Sequence, residues 1–308
     1  MSMEKMIVAV SVATVWSNPQ SPRSIDEPAL QNPAAIRPWL EGMTLEDRLD
    51  LYRGSRVQTQ AVYGTSVLVV EEQGDWVKVA IPQQGTRRDA VGYPGWIPRC
   101  QLATETSELA SQRRAEVIAN KAWLYLTPSE PLIELSFLSS LPVIELADSW
   151  VMVHIPGADG IGYLKAEDVR LINGSMAPLP TEGHIGQMIL DRAMQFVDLP
   201  YLWGGVSAFG YDCSGFAHSM HRYAGISIPR DASDQVNYGT AIEKEELEPG
   251  DLLFFAFEEG KGAVHHVGIY AGNGQMIHSP ETIKSIEVVE LSSYKLIQEH
   301  CMSRRYWG

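Results

Sequence analysis

An internal repeat in the first two-thirds of the chain limits most sharply what it can fold into. Val67-Leu68-Val69-Val70 leads to Trp76-Val77-Lys78-Val79-Ala80-Ile81-Pro82 and then to Gly92-Tyr93. The same order returns as Val143-Ile144-Glu145-Leu146, Trp150-Val151-Met152-Val153-His154-Ile155-Pro156 and Gly162-Tyr163. Each copy begins from a strand that ends in a turn, Trp16-Ser17-Asn18-Pro19 or Tyr125-Leu126-Thr127-Pro128. Short alternating apolar runs separated by turn residues specify small antiparallel barrels or sandwiches. The repeat therefore predicts two all-β modules, over residues 1–104 and 105–172.

The first module carries an insertion over residues 21–53, holding Pro22, Pro28, Pro33 and Pro38. Within it, Thr44-Leu45-Glu46-Asp47-Arg48-Leu49 predicts a helix with Thr44 as N-cap and Asp47 at its third position. Insertions of this length either serve function or pack as appendages, and both readings stay open. Asn173-Gly174-Ser175-Met176-Ala177-Pro178-Leu179-Pro180 has linker chemistry and marks a boundary at about residues 173–183.

The bulk numbers narrow the partners. With 24 Lys and Arg against 38 Asp and Glu, the net charge is −14, which disfavours nucleic acid and anionic membrane. Three scattered cysteines, Cys100, Cys213 and Cys301, are too few for a disulfide framework or a zinc ribbon and suit a reducing compartment. The N-terminal run from Met6 to Trp16 is rich in β-branched residues and nearly alternating from Val8, a strand rather than a secretory leader. No apolar run reaches the ~20 residues a membrane span needs. The expectation is a cytoplasmic protein, monomeric, with a small-molecule partner and no cofactor.

The remaining residues, 184–308, carry the chemistry. Ile185, Ile189, Ala193 and Phe196 predict a helix over 184–198, stopped by Pro200. Phe216, Met220 and Tyr223 predict another that ends at Gly225, with Asp212 as its N-cap and Cys213 in its first turn. Unpaired N–H groups at a helix start favour a thiolate, so a lowered Cys213 pKa is expected. Taken alone, such a cysteine is as readily a small packed hydrophobe.

Its partners come from a hairpin. His265-His266-Val267-Gly268-Ile269-Tyr270-Ala271 and Gln275-Met276-Ile277-His278 flank Gly272-Asn273-Gly274. A three-residue loop would set His278 opposite Gly268 and bring His266 and His278 to one face, away from Val267 and Ile269. A two-residue loop would put the histidines on opposite faces. On one face, His266 can take the Cys213 proton and return it to a leaving amine, while His278 orients the ring. The Cys213 N–H, with the Tyr201 hydroxyl, is a candidate oxyanion site.

Tyr201-x-Trp203-Gly204-Gly205, Asp212-Cys213-Ser214-Gly215-Phe216, Pro249-Gly250-Asp251-Leu252, His266-Val267-Gly268-Ile269-Tyr270 and Met276-Ile277-His278 stand in the order seen in NlpC/p60 papain-like cysteine peptidases. The resemblance covers residues 184–308. It implies an α+β papain-like catalytic domain and a Cys213, His266, His278 triad acting on peptidoglycan stem peptides. The W-x-x-V/h-x-x-P…G-Y order of the repeat resembles bacterial SH3-like domains. Two such barrels before the catalytic domain resemble the γ-D-glutamyl-L-diamino acid endopeptidases, which act on free murein peptides with an N-terminal L-alanine. By motif position the resemblance implies substrate contacts from Tyr93, Tyr201, Trp203, Asp212, Ser214 and Asp231. Where that group has an acid for the substrate amine, the matching position here is Gln58, a departure that leaves amine recognition to Asp212 and Asp231. Wall hydrolysis on intact peptidoglycan, an inert wall-binding scaffold, and transfer or hydrolysis at another amide are the alternatives.

For the other histidines the expectation is structural. His218 and His221 lie three apart on a helix without an evident third ligand, so no metal site is expected. His154, His184 and His300 show no partner in the sequence, and Cys100 and Cys301 read as packing residues.

Overall fold

A computed structural model describes residues 4–104, 113–157, 160–174 and 184–308. The 173–183 linker expected from sequence falls mostly outside the described residues. The chain forms two compact units, one of Met1–Pro82, Val91–Met176 and Ser207–Phe209, the other of Gln83–Ala90, Ala177–Val206 and Gly210–Gly308.

The first unit holds the repeat. Its first copy comprises β1 (Lys5–Val8), β2 (Val12–Trp16), β3 (Val57–Val62), β4 (Ser66–Gln73), β5 (Trp76–Ile81), β6 (Tyr93–Pro98) and β7 (Leu102–Thr104). The second comprises β8 (Arg113–Val117), β9 (Lys121–Thr127), β10 (Glu130–Ser136), β11 (Ser140–Leu146), β12 (Trp150–His154), β13 (Ile161–Lys165) and β14 (Val169–Asn173). The sheet orders are β3-β2-β6-β5-β4-β1-β7 and β10-β9-β13-β12-β11-β8-β14, the same path twice. Alternation along each strand sends Val8, Val15, Val67, Val77, Val79 and Ile97 into one core and Val117, Leu124, Leu135, Leu141, Val151 and Leu164 into the other.

The two copies are joined tightly. Tyr63, at the end of β3, is buried in the second core. Gly64 adopts φ +81°, and a Cβ there would lie 1.9 Å from the Ser140 carbonyl oxygen, so only glycine allows this approach. Arg114 donates to the carbonyls of Gly64 and Ser140, at 3.0 and 2.6 Å.

The insertion forms a short 3-10 turn (Ser24–Ala29) and two helices, α1 (Ile36–Gly42) and α2 (Leu45–Arg53). Thr44 caps α2 through a reciprocal box with Asp47, as the sequence predicts. Trp39 is buried, donates to Asp26 at 2.9 Å and packs its ring near Trp16. Arg37 forks onto Glu134 of the second copy. These contacts make the insertion a packed part of the first unit.

The second unit is built on helices against a sheet. Its helices include α3 (Ile185–Met194), α4 (Cys213–Tyr223) and the single turn α5 (Ala232–Gln235). The sheet uses β15 (Thr240–Ala241), β16 (Leu252–Ala256), β17 (Val264–Gly272), β18 (Gln275–His278), β19 (Glu287–Glu290) and β20 (His300–Arg305), in the order β15-β20-β16-β17-β18-β19. The helix expected over 184–198 is shorter at both ends. His184 has φ 150°, and after Met194 the chain tightens into turns ending at Asp198, whose φ is +69°. Helix α4 is buried along nearly its whole length and packs on β17, the strand that carries His266. Among the described residues no helix is long and apolar enough to cross a membrane.

Candidate active site

Helix α4 begins as its sequence demands. Asp212 is extended at φ −87°, ψ 177°, and its carboxylate accepts from the Gly215 N–H at 2.7 Å, satisfying one of the orphan donors of the first turn. Cys213 follows as the first helical residue, partly exposed. The backbone N–H groups of Val267 and Ser214 hydrogen-bond its sulfur. Val267 follows His266, so this contact brings the thiol to the strand segment that carries the imidazole.

The two histidines meet, by a different route from the one expected. The hairpin turn is the two-residue Asn273-Gly274, closed by the pair Gly272 and Gln275. Two residues later the register is shifted by one, with Tyr270 opposite Met276 and Ile269 opposite Ile277. The extra residue, Ala271, is a bulge that undoes the face reversal a two-residue turn would impose. A Cβ on Gly268 would lie 3.2 Å from the His278 Cβ, so the two are neighbours on one face. His266 Nε2 and His278 Nδ1 stand 2.8 Å apart. Both rings are buried, and the Tyr294 ring packs against both, with its centroid 5.1 Å from that of His278.

Burial sets the charge state of these groups. Desolvation, followed by the charge of Asp212, pushes the Cys213 thiol up to about 12. This corrects the lowered pKa expected from the helix start. Dense packing and an adjacent carboxylate outweigh the helix dipole, the Ser214 and Val267 donors and the charge of Arg230. Burial also holds His266 well below the ordinary histidine range, helped by His278, His265 and Lys295. For His278, burial and then Lys284 and Lys295 bring the pKa to about 3. Both shifts favour the neutral thiol and neutral imidazole over the separated ion pair.

Asp212 and Ser214 are engaged inside the domain. Arg230, itself fully buried, reaches Asp212 Oδ1 at 3.0 Å and Oδ2 at 2.7 Å, and Ser214 Oγ at 3.0 Å. Gln235 donates to the Ser214 carbonyl at 3.1 Å. Asp231, the N-cap position of α5, lies 3.4 Å from the Arg88 guanidinium. Tyr201 is buried in the loop before α4 and bridges to Tyr211, while Trp203 in the same loop is half-buried. Tyr93 lies on β6 and is buried in the core of the first unit. Ser279 fastens the strand after His278 by donating to the Tyr211 carbonyl at 2.8 Å.

His218, His221 and His265 have partners within the fold. His218 Nδ1 bonds the Ile228 carbonyl and His221 Nδ1 the Ala217 carbonyl, each at 2.9 Å, and burial lowers them to about 3 and about 4. His265 stacks on Phe257 and meets Glu299 at 2.7 Å. A cavity of about 580 Å³, lined by Lys244, Leu253, Tyr270, Leu291 and His300 among others, contains none of Cys213, His266 and His278.

A thiol at a helix start, beside an imidazole oriented by a second imidazole, is equipped for nucleophilic acyl transfer. Residues 198–307 match the NlpC/P60 family, and residues 117–171 match the YKFC SH3b2 domain. A crystal structure of an NlpC/P60 family protein from Bacillus cereus ATCC 10987 superposes with a TM-score of 0.93 at 38% identity, over 99% of this chain and 100% of that one. The chain belongs to the NlpC/P60 family. Among its relatives in the family's orbit, the gamma-D-glutamyl-L-lysine dipeptidyl-peptidase of Bacillus subtilis (strain 168) is 43% identical over 97% of both chains. The protein of that name from Bacillus cereus (strain ATCC 10987 / NRS 248) is 39% identical, over 98% of this chain and 91% of its own. The SH3-like repeat and the α+β NlpC/P60 domain expected from sequence are both present.

Sequence reasoning missed Arg230, Tyr294 and Glu287, the last of which lies opposite His278 on β19. Arg-Asp before a short helix was the one available signal for Arg230. Tyr294 and Glu287 belong to a segment with no motif.

Proposed function

We propose that this chain is a cysteine peptidase that hydrolyses the γ-D-glutamyl–L-diamino acid bond of peptidoglycan-derived peptides with a free N-terminal L-alanine. Cys213 is the nucleophile, His266 the acid and base, and His278 the residue that orients His266. The observation that carries this is Cys213 on the first turn of α4, against the strand of His266, whose ring bonds His278 at 2.8 Å. The near-full-length relatives are named dipeptidyl-peptidases. An enzyme that releases a dipeptide must sense the free amine two residues before the scissile bond, which supports the L-alanine requirement.

In this reading His266 accepts the thiol proton as the sulfur attacks the γ-carbonyl carbon of D-glutamate. The oxyanion forms beside the Cys213 N–H, which has no partner within the helix. His266 then gives its proton to the departing amine of the diamino acid, leaving a thioester. Water attacks that thioester, losing a proton to His266, and the returned proton restores the thiol as L-Ala-D-Glu leaves. With both groups shifted toward their neutral forms, proton transfer accompanies attack in this reading.

Tyr201, Trp203, Asp212, Ser214 and Asp231 are the substrate contacts in this proposal. Asp212 is held by Arg230 and by the helix cap, and Asp231, which pairs with Arg88, is in this proposal the acid that meets the substrate amine. The setting is the cytoplasm, where three free thiols stay reduced.

The test is mass spectrometry of L-Ala-γ-D-Glu-L-Lys, its diaminopimelate counterpart and N-acetylated copies, each with wild type and Cys213→Ala. Release of L-Ala-D-Glu by wild type alone, with the acetylated peptides spared, is the expected result. Cleavage of the acetylated copies would remove the free-amine requirement, and cleavage by Cys213→Ala would remove the nucleophile.

A further inference from the structure

The His266–His278 bond fixes where protons must sit, and this leaves a donor that needs a partner. His266 uses Nε2 toward His278, so its Nδ1 is the nitrogen left for the Cys213 thiol. To receive the thiol proton, Nδ1 must carry a lone pair, which places the resting proton on Nε2. That N–H donates to His278 Nδ1, which must then be the acceptor. The His278 proton is thereby forced onto its own Nε2. This atom is buried and has no hydrogen-bond partner among the described residues. The acid facing it is Glu287, directly opposite on β19, with Oε1 at 3.6 Å.

We propose that Glu287 is a fourth member of the catalytic relay, a positioning carboxylate that receives the His278 Nε2–H as charge develops on His266. The proposal rests on the triad assignment above. A contraction of less than 1 Å turns the 3.6 Å approach into a charge-assisted hydrogen bond. No proton need leave His278, because the carboxylate acts by stabilising the N–H it faces and, through it, the imidazolium of His266. A neutral third residue then gains the carboxylate support that it otherwise lacks.

Charged neighbours oppose this acid. Lys284 Nζ lies 3.5 Å from the same Glu287 oxygen and competes for it. Lys295 lowers the pKa of both histidines and is itself paired with Glu281 at 2.5 Å. His265 acts on His266 from its own strand, and the Tyr294 ring covers both imidazoles. The Glu287 side chain is 40% exposed, so its influence is screened and moderate. Glu287 and Lys284 therefore act on the His266 imidazolium with opposite signs.

Two variants read this directly. Glu287→Gln keeps a hydrogen-bond acceptor but loses the charge, while Lys284→Met frees the carboxylate. Iodoacetamide alkylation of Cys213, followed by mass spectrometry with Cys100 and Cys301 as internal references, measures the thiolate–imidazolium fraction without any substrate. At neutral pH, Glu287→Gln should slow alkylation by about threefold and Lys284→Met should quicken it, a shift of about half a pH unit each way in the alkaline limb. Imidazole nitrogen chemical shifts in the full-length protein should show His278 protonated at Nε2. Alkylation rates unchanged in Glu287→Gln, both variants moving in one direction, or an Nδ1-protonated His278 would each overturn the proposal. Alkylation that is insensitive to His266→Ala would instead remove the triad assignment on which it stands.

Discussion

Arg230 holds both carboxylate oxygens of Asp212, at 3.0 and 2.7 Å, in a place where neither side chain is appreciably open to solvent. The pair fastens the loop before α5 to the first turn of α4, and its guanidinium also holds Ser214. The position of Cys213 thus depends on a fork of charge as well as on a helix cap.

Breaking that fork should be costly. Arg230→Met leaves Asp212 buried without its counter-charge, and unfolding free energy should drop by about 3–5 kcal/mol. Arg230→Lys keeps the charge but loses the two-point geometry, and should fall between wild type and Arg230→Met. Adding Asp212→Asn to Arg230→Met should recover part of the loss, since no isolated charge then remains. Urea unfolding of these proteins and of Asp212→Asn alone measures this, and simple additivity of the two substitutions would sink the account.

The reach of sequence reasoning can be judged from the same residues. Period-two alternation and the repeated Trp…Pro…Gly-Tyr order were legible because strand pairing is encoded residue by residue. The Asp212 cap was legible for the same local reason. The turn between the histidine strands was not, because Ala271-Gly272-Asn273-Gly274 is compatible with both two- and three-residue loops. The expected convergence of His266 and His278 held only through the bulge at Ala271. Arg230 reaches Asp212 across eighteen residues and Glu287 meets His278 across a loop, distances at which no periodicity signals a partner. The Cys213 thiol went the other way for a related reason. A helix start can be read locally, whereas burial is a property of the whole domain.

Gly268 sets the distance between the strands of His266 and His278. A Cβ there would lie 2.2 Å from Met276 Sδ, 2.6 Å from its Cγ and 3.2 Å from His278 Cβ. Gly268→Ala should push Met276 and His278 away and lengthen the bond to His266. Overpacking of this kind costs about 1–3 kcal/mol, so the protein should still fold. If the proposed triad acts, peptidase activity should fall by at least about tenfold, since small displacements of reacting groups carry large rate penalties. Retained activity with unchanged histidine nitrogen shifts would show that the strand spacing has slack.

Stability should decline on mild acidification. His218, His221, His266 and His278 all have folded pKa values below the unfolded value of about 6.5, because each is buried in its neutral form. Below that value the unfolded chain takes up protons that the folded chain refuses. Their contribution is thus complete above about pH 6.5 and is lost as pH falls toward 3 or 4, at up to about 1.4 kcal/mol per pH unit for each histidine. His221→Leu, remote from Cys213 on the far turns of α4, should remove about one of these protons. Urea unfolding at several values between pH 7 and pH 5 should give a shallower slope for the variant. Parallel slopes would mean that His221 is protonated in the folded protein.

Two glycines in the first unit give a matched comparison. Gly64 and Gly74 both lie at positive φ, +81° and +57°, so an alanine at either pays a left-handed penalty of roughly 1–2 kcal/mol. At Gly74 a Cβ would have nothing within 4 Å, and the penalty should be the whole effect. At Gly64 the Cβ would lie 1.9 Å from the Ser140 oxygen and 3.0 Å from its carbon, both backbone atoms that cannot swing aside. Gly64→Ala must therefore part the two copies at the Arg114 bridge, where Gly64 and Ser140 share one guanidinium nitrogen. Its unfolding free energy should fall by at least about 2 kcal/mol more than that of Gly74→Ala, as expected for a forced backbone shift in a close-packed contact. Hydrogen exchange should speed up at Val117 and Leu141 in Gly64→Ala and stay unchanged there in Gly74→Ala. Equal losses in the two variants would show that the modules meet without depending on the bare backbone at Gly64.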